Sequence, residues 1–426
     1  MQDFVHLHVH TYYSILDGQS SIQKLVDKAV ADGMRGMAIT DHGDMFGIKE
    51  FWDYCAGVNS KRKKEGLEPF KPILGCEMYV AHHNKEDRAG KEDRSGYHLI
   101  VLAKNYLGYK NLIKLVSNSW TDGFYMRPRT DRADLERHHE GLIVCSACIA
   151  GEVPSKVLKG DIEGAREAVQ WYKRVFGDDY YLELQRHEVK DPSIRANRET
   201  YPLQQRANSV LMQLAREYGV KIVCTNDAHF VDQENAEAHD HLLCLSTGKD
   251  LDDPTRMLYS KQEWFKTRAE MNEVFGDLPE AMANTLEVLD KVELYSIEHS
   301  PIMPFFPIPE SFGTEEQWRA KFTEEQLFAE FTSDENGQNP LPREEGEKKI
   351  EKLGGYDKLY RIKFEADYLA KLAYEGARKL YGDPLTDEVE ERVRFELHIM
   401  KTMGFPGYFL IVQDFINSAR DELGVM

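Results

Sequence analysis

Apolar and imidazole side chains alternate from Val5 to His10 within the stretch at residues 4–18, FVHLHVHTYYSILDG. A period of two is that of a strand whose faces meet different surroundings, so His6, His8 and His10 share a face. Three stacked imidazoles make a poor apolar core, since each ring nitrogen needs a partner and a proton gained by one repels the others. A metal ion resolves that conflict by taking the neutral rings as ligands. A strand edge open to water is the competing reading, and the motif alone leaves both standing.

Later stretches supply partners. Asp41-His42-Gly43 follows the strand-like GMAIT, Gly75-Cys76-Glu77 lies inside PILGCEMYV, His98 opens HLIVLA, and Asn226-Asp227-Ala228-His229 follows KIVCT. Strand-like runs fall near residues 4–9, 36–40, 73–80, 98–103, 142–146, 180–184 and 221–225. Helical patterns lie between most of them, at 21–31 behind a Ser cap, 106–117, 161–176 and 203–218. Seven such βα-like units suggest an α/β barrel whose strand ends gather scattered polar residues on one rim. His98 sits uneasily in this scheme, because it begins its strand where the others end or interrupt theirs.

With 426 residues the chain exceeds the size at which one core keeps growing, and two domains are expected. From about residue 285 the texture changes. Prolines at 301, 304, 307 and 309 mark a connection; residues 323–378 read as acidic helix broken near 336–342; and Thr323 with Gln326 forms a capping box. Residues 389–403 and 408–423 keep helical spacing, and the chain then stops without a finishing element, as a truncated domain would. No apolar run approaches the ~20 residues that span a bilayer, which leads us to expect a cytoplasmic protein without membrane contact. Six cysteines without a secreted-framework spacing predict free thiols, and Cys145-X-X-Cys148 lacks the second pair of a zinc or redox motif. A net charge of −19 confines any DNA contact to local patches. Lys61-Arg62-Lys63-Lys64 reads as a solvated helix end. The loop with Phe124, Tyr125, Arg127 and Arg129 instead combines rings that stack on bases with cations that hold phosphate, which makes Arg127 and Arg129 candidate substrate contacts.

HLHVHT with Asp17, ITDHG at 39–43, LGCE, YHLIVLAK, Ser146-Ala147-Cys148 and TNDAHF together resemble the PHP (polymerase and histidinol phosphatase) family. The likeness is closest to its branch at the amino terminus of bacterial DNA polymerase III alpha subunits, which LAKNYLGYKNLIKL, DGFYMRPRTD and MGFPGYFLIVQDFI also resemble. The resemblance implies a distorted (β/α)7 PHP barrel over residues 1–285. It also implies a partial, mainly helical α+β start of the polymerase palm over 286–426, ending before the carboxylates that polymerise. The family's ligand positions fall on His8, His10, Asp17, His42, Glu77, His98, Cys148, Asp227 and His229, with His6 beside the set. Nine imidazole, carboxylate and thiolate donors imply two or three divalent ions, Zn, Mn or Fe before Ca, with Glu77 bridging. Catalysis would rest on Glu77, Asp227 and His10. His82, His83, His138, His139, His239 and His241 receive no role.

The function so implied is the amino-terminal part of a DNA-directed DNA polymerase. Its barrel would be a metal-dependent 3′–5′ exonuclease acting on a primer 3′ end or single strand, among other subunits of the replicative holoenzyme. A barrel that merely docks a separate proofreading exonuclease, or a free-standing phosphoesterase like histidinol phosphatase, are the alternatives.

Overall fold

The computed structural model describes residues 2–189, 199–299, 302 and 304–425. Seven strands form one sheet: β1 (Gly36–Ile39), β2 (Lys71–Val80), β3 (Tyr97–Ala103), β4 (Arg129–Thr130), β5 (Leu142–Cys145), β6 (Tyr180–Leu184) and β7 (Lys221–Cys224). Their order is β1-β2-β3-β5-β6-β7, with β4 on β2. Every residue of β1, β5 and β6 is buried, as expected of strands covered on both faces. The helices Ile22–Ala31, Tyr106–Thr121, Ile162–Phe176 and Tyr201–Tyr218 agree with the periodicity, and the Ser21 side chain caps the first by accepting from the Lys24 N–H.

Two features differ from a ring of seven βα units. The sheet is mixed: β1 and β2 are parallel, β3 runs antiparallel to both β2 and β5, and β5, β6 and β7 are parallel. Between β2 and β3 the described structure has only a single 3-10 turn, Glu92–Arg94, and without a helical crossover the chain returns antiparallel. The second difference concerns residues 4–9, which belong to no named strand, Val9 making only an isolated bridge with Ala228. Instead the His6 and Val9 carbonyls accept from Ala38 and Thr40 N–H at 2.8 Å each, while His10 N–H donates to the Ala228 carbonyl at 2.7 Å. This segment thus ties the β1 edge to the turn after β7 and closes the distorted barrel. Phe4, Val5, Leu7 and Val9 are fully buried where it does so.

The chain divides into compact units at Met1–Glu298 and His299–Met426. A boundary after residue 285 would cut the helix Pro279–Lys291, which is held in the first unit: Thr285 Oγ1 accepts from Val5 N–H at 3.2 Å, and Val288 and Leu289 are buried. In the second unit the described residues form helices and no strand, in line with the mainly helical region expected there. Glu324–Thr332, Arg343–Leu353 and Gly355–Tyr381 enclose a core of Leu327, Phe328, Phe331, Ile350, Leu359 and Ile362. The Thr323–Gln326 capping box is formed.

Candidate metal centre

Because β3 is antiparallel to β2, its first residues lie beside the end of β2: His98 pairs with Tyr79, two places beyond Glu77 on the same rim. That removes the difficulty over His98. His42, just after β1, fills a gap on the β2 edge between the stretches paired with β1 and β4, and forms an isolated bridge to Glu77. Cys148 and Asp227 follow β5 and β7. Three adjoining backbones take the left-handed region without glycine: Leu16 (φ 62°) before Asp17, Ala147 (φ 60°) before Cys148, and Asp227 itself (φ 49°). Such conformations cost energy and gather where neighbouring structure imposes them, often at functional sites.

Eight of the nine expected residues converge by direct contact, with Glu77 at the centre. Its Oε1 lies 2.8 Å from His98 Nδ1 and 3.4 Å from His8 Nε2; its Oε2 lies 2.7 Å from His42 Nδ1 and 3.3 Å from His10 Nε2. Asp227 Oδ1 is 3.0 Å from His8 Nε2, 3.3 Å from His10 Nε2 and 3.6 Å from His229 Nδ1. Asp17 Oδ2 meets His42 Nε2 at 2.9 Å and His229 Nε2 at 3.7 Å. Cys148 stands further out, its Sγ 3.8 Å from His98 Nδ1. Burial pushes the Glu77 carboxyl up, but the imidazoles of His98, His42 and His8 outweigh it and hold that carboxyl well below its usual range. Burial likewise pulls His8 down, and Asp227, Glu183 and Glu77 reverse the effect and raise it. His10 faces His42 and His229 as well as being buried, and its pKa is lowered. The Cys148 thiol is pushed up by burial and then by the nearby Glu77 and Asp227.

The donors fit divalent ions. Three overlapping groups each bring one ligand atom per residue within 4.8 Å of one another: His10, His42 and His229; His8, His10 and Asp227; His42, Glu77 and His98. Within them Glu77 Oε2, Asp227 Oδ1 and His42 Nδ1 are buried and, despite the close approaches given above, none makes a well-aligned hydrogen bond. Buried polar atoms seldom lack such a bond, and divalent cations held by these groups would satisfy them.

Sequence reasoning missed the residues that brace this set. Glu183, fully buried in β6, takes His8 Nδ1 on Oε1 at 2.7 Å, which leaves Nε2 as the free ligand atom. Ser14 Oγ lies 2.8 Å from His10 Nδ1 and donates to Asp41 Oδ1 at 2.7 Å. Tyr259 OH reaches His229 Nε2 at 3.2 Å and both Asp17 oxygens at 3.3 Å, and His239 Nε2 meets the Asp17 carbonyl at 2.8 Å. A lone glutamate inside the apolar YYLEL was the available signal for Glu183. Tyr259 and His239 lie far along the chain and offered none. His6 is fully buried with its ring between Phe4 and Phe265 and its Nε2 2.7 Å from the Lys266 carbonyl; burial lowers it to about 3, so it is a neutral core histidine.

A cavity of about 520 Å³ opens from Asp17 and His42, and Arg127 lines it. Arg129 does not reach it. That side chain is fully buried, donating to the carbonyls of Gly123 (3.1 Å), Lys85 (2.7 Å) and Asp87 (2.9 Å). It is the clasp of the loop, and Gly123 is required beneath it, since a Cβ there would lie 1.9 Å from the Arg129 carbonyl. Replacing Arg129 by Met should therefore cost about 3 kcal/mol of stability by orphaning buried carbonyls, a loss to be read in urea unfolding. Arg62, in the basic run ending the helix Ile48–Lys64, donates to the Glu68 carbonyl at 2.7 Å, as suits a solvated helix end. All six cysteines are free thiols, and no helix among the described residues is long and apolar enough to cross a membrane.

Residues 6–187 match the family described as PHP domain, and residues 367–425 match the one described as bacterial DNA polymerase III alpha NTPase domain. The chain is similar to DNA polymerase III subunit alpha of Borreliella burgdorferi, 38% identical over 425 residues, covering 98% of this chain and 30% of that protein. The subunits of the same name from Treponema pallidum (33% identical; 98% of this chain, 30% of the relative) and Campylobacter jejuni (35%; 99% and 32%) are similar over the same extent. The chain thus spans about a third of the length of these relatives.

Proposed function

Given that the chain belongs to the bacterial DNA polymerase III alpha family and carries its PHP domain, we propose that the barrel is a metal-dependent 3′–5′ exonuclease within a cytoplasmic replicative polymerase. The observation that supports this most is the set of three overlapping ligand groups opening onto a cavity that holds one arginine. His8, His10, Asp17, His42, Glu77, His98, Cys148, Asp227 and His229 would hold two or three ions of Zn, Mn or Fe. Bound ions would supply a Lewis acid and a water acidified to near neutral pKa.

The remaining work falls to the chain's own groups. Glu183 and Ser14 keep the His8 and His10 rings oriented. Arg127, placed over the Tyr79 ring at 5.7 Å, would hold the scissile phosphate at the cavity mouth. Hydrolysis adds a water oxygen to phosphorus and breaks the P–O3′ bond. The proton passes to the leaving 3′ oxygen, so a nucleoside 5′-monophosphate leaves a strand ending in a new 3′-hydroxyl. The second unit would begin the domain in which the whole protein polymerises DNA alongside its partner subunits.

The test uses 5′-labelled single-stranded DNA, in which stepwise 3′ loss appears as a ladder. Mn²⁺ or Zn²⁺ should support it at least ~10-fold better than Mg²⁺ alone, because Mg²⁺ prefers an all-oxygen shell to imidazole and thiolate. A ladder equally strong in Mg²⁺ would overturn the assigned donor set.

A further inference from the structure

One side of the cavity is built for something other than phosphate. Trp120, Phe124, Phe46 and Met126 line it together with Arg127, and they are 42%, 45%, 56% and 66% exposed. Large apolar side chains gathered at this density beside a polar centre mark a binding surface, whereas single exposed ones need no explanation. The rings are also arranged. Trp120 and Phe124 stack at 5.4 Å with 19° between their planes, and Phe46 stands 6.1 Å from Trp120.

The shelf is anchored to the candidate metal centre by hydrogen bonds. Trp120 Nε1 donates to the Gly43 carbonyl at 2.8 Å, and Gly43 follows His42 directly. Gly43 N–H in turn donates to the Glu77 carbonyl at 2.8 Å. Phe124 is held from the other side by the Arg129 clasp, whose Nε bonds the Gly123 carbonyl. Tyr125, a stacking candidate from sequence, lies against the Arg129 guanidinium at 5.7 Å instead. Thus a short ring stack stands at a fixed offset from the ligand cluster, with Arg127 beside it as the one Lys or Arg among the lining residues.

We propose that Phe46, Trp120 and Phe124 form a nucleobase subsite that takes the unstacked terminal base of a single strand while Arg127 holds its phosphate. This rests on the exonuclease reading and deepens it by naming the residues that would take the terminal base. A base continues an aromatic stack in a way tolerant of sequence, since every base offers a π face. A paired terminal base has both of its interactions spent within the duplex. The barrel therefore acts on frayed, mispaired or single-stranded ends, and its selectivity comes from stacking.

The experiment uses the 426-residue chain and a single-stranded oligonucleotide with 2-aminopurine at its 3′ end, protected by a terminal phosphorothioate, with Zn²⁺ present. Binding should quench the probe, and Trp120→Ala or Phe124→Ala should weaken it on the order of 10- to 100-fold, while Phe124→Tyr restores it. Metal content and melting of each variant are measured in parallel; Phe124, in an exposed loop, serves if Trp120→Ala fails to fold. In cleavage assays the preference for a 3′ purine over a 3′ abasic nucleotide should fall to unity in Phe124→Ala. Quenching that survives both alanine variants, or equal quenching by a blunt duplex, overturns the subsite. If the wild type degrades base-bearing and abasic ends alike, the subsite is wrong and the nuclease reading stands. Should it degrade neither yet quench the probe, the nuclease reading fails and the subsite stands.

Discussion

Nucleotide release from single-stranded DNA should fall by at least ~10³-fold when His10 is replaced by Ala, and by at least ~10²-fold in Asp227→Asn. His10 belongs to two of the three ligand groups, so its loss weakens both together. Bound ions would supply the nucleophile and the charge stabilisation at once, and effects of groups acting as a unit are not additive. Asn is the better change at position 227, because its side chain tolerates the φ of 49° that would strain Ala. It keeps the shape and removes the charge facing His8. Both variants must be purified beside the wild type. Equal trace activity in all three preparations would assign the nuclease to a contaminant and favour a barrel that docks a separate exonuclease.

How far the site was legible follows from what kind of signal each residue carries. His8 and His10 announce themselves by alternation, because polar side chains at strand period in an apolar run need an explanation. His42, Glu77, His98, Asp227 and His229 adjoin β-like runs and were found as partners on the same rim. Arg129 was misread as a substrate contact: a loop rich in Arg and aromatic residues looks the same whether its cation faces a ligand or its own carbonyls. Only the folded loop shows Arg129 bonded to Gly123, Lys85 and Asp87 while Arg127 points to the cavity.

The fold divides the same way. Helix positions were readable from period and caps, as Ser21 and Thr323 show. Strand direction was not, since β3 has the same composition whichever way it runs. The antiparallel return from β2 to β3 depends on what the 81–96 connection fails to form. Residues 4–9 have the alternation of a strand and still form none, Val9 alone bridging to Ala228, because period reports which side chains share surroundings and says nothing of which carbonyls find partners. Their hydrogen bonds go to two elements in turn, Ala38 and Thr40 on one side and Ala228 on the other.

Stripping metal with a chelator should lower the melting temperature of the first unit by at least ~5 °C, and readdition of Zn²⁺ or Mn²⁺ should restore it. The stripped site holds Glu77, Asp227 and Asp17 close together, with their charge opposed only by imidazoles that must then carry protons. Desolvation works against that charged arrangement, and burial is the largest influence on each of these groups. A site filled at ~100 times its dissociation constant adds about 2.7 kcal/mol, and a unit of this size moves ~2–4 °C per kcal/mol. Two or three filled sites would multiply the effect. The shift should also shrink as pH falls, because protons compete with metal for the same nitrogens. His8 and His42, whose imidazolium forms the surrounding carboxylates favour, must give up protons to become ligands. The check is calorimetry at pH 8 and pH 6 with and without chelator, metal removal being confirmed by elemental analysis. A first transition unmoved by verified metal loss at pH 8 would leave the cluster as a hydrogen-bonded core network and remove the basis for a metal centre.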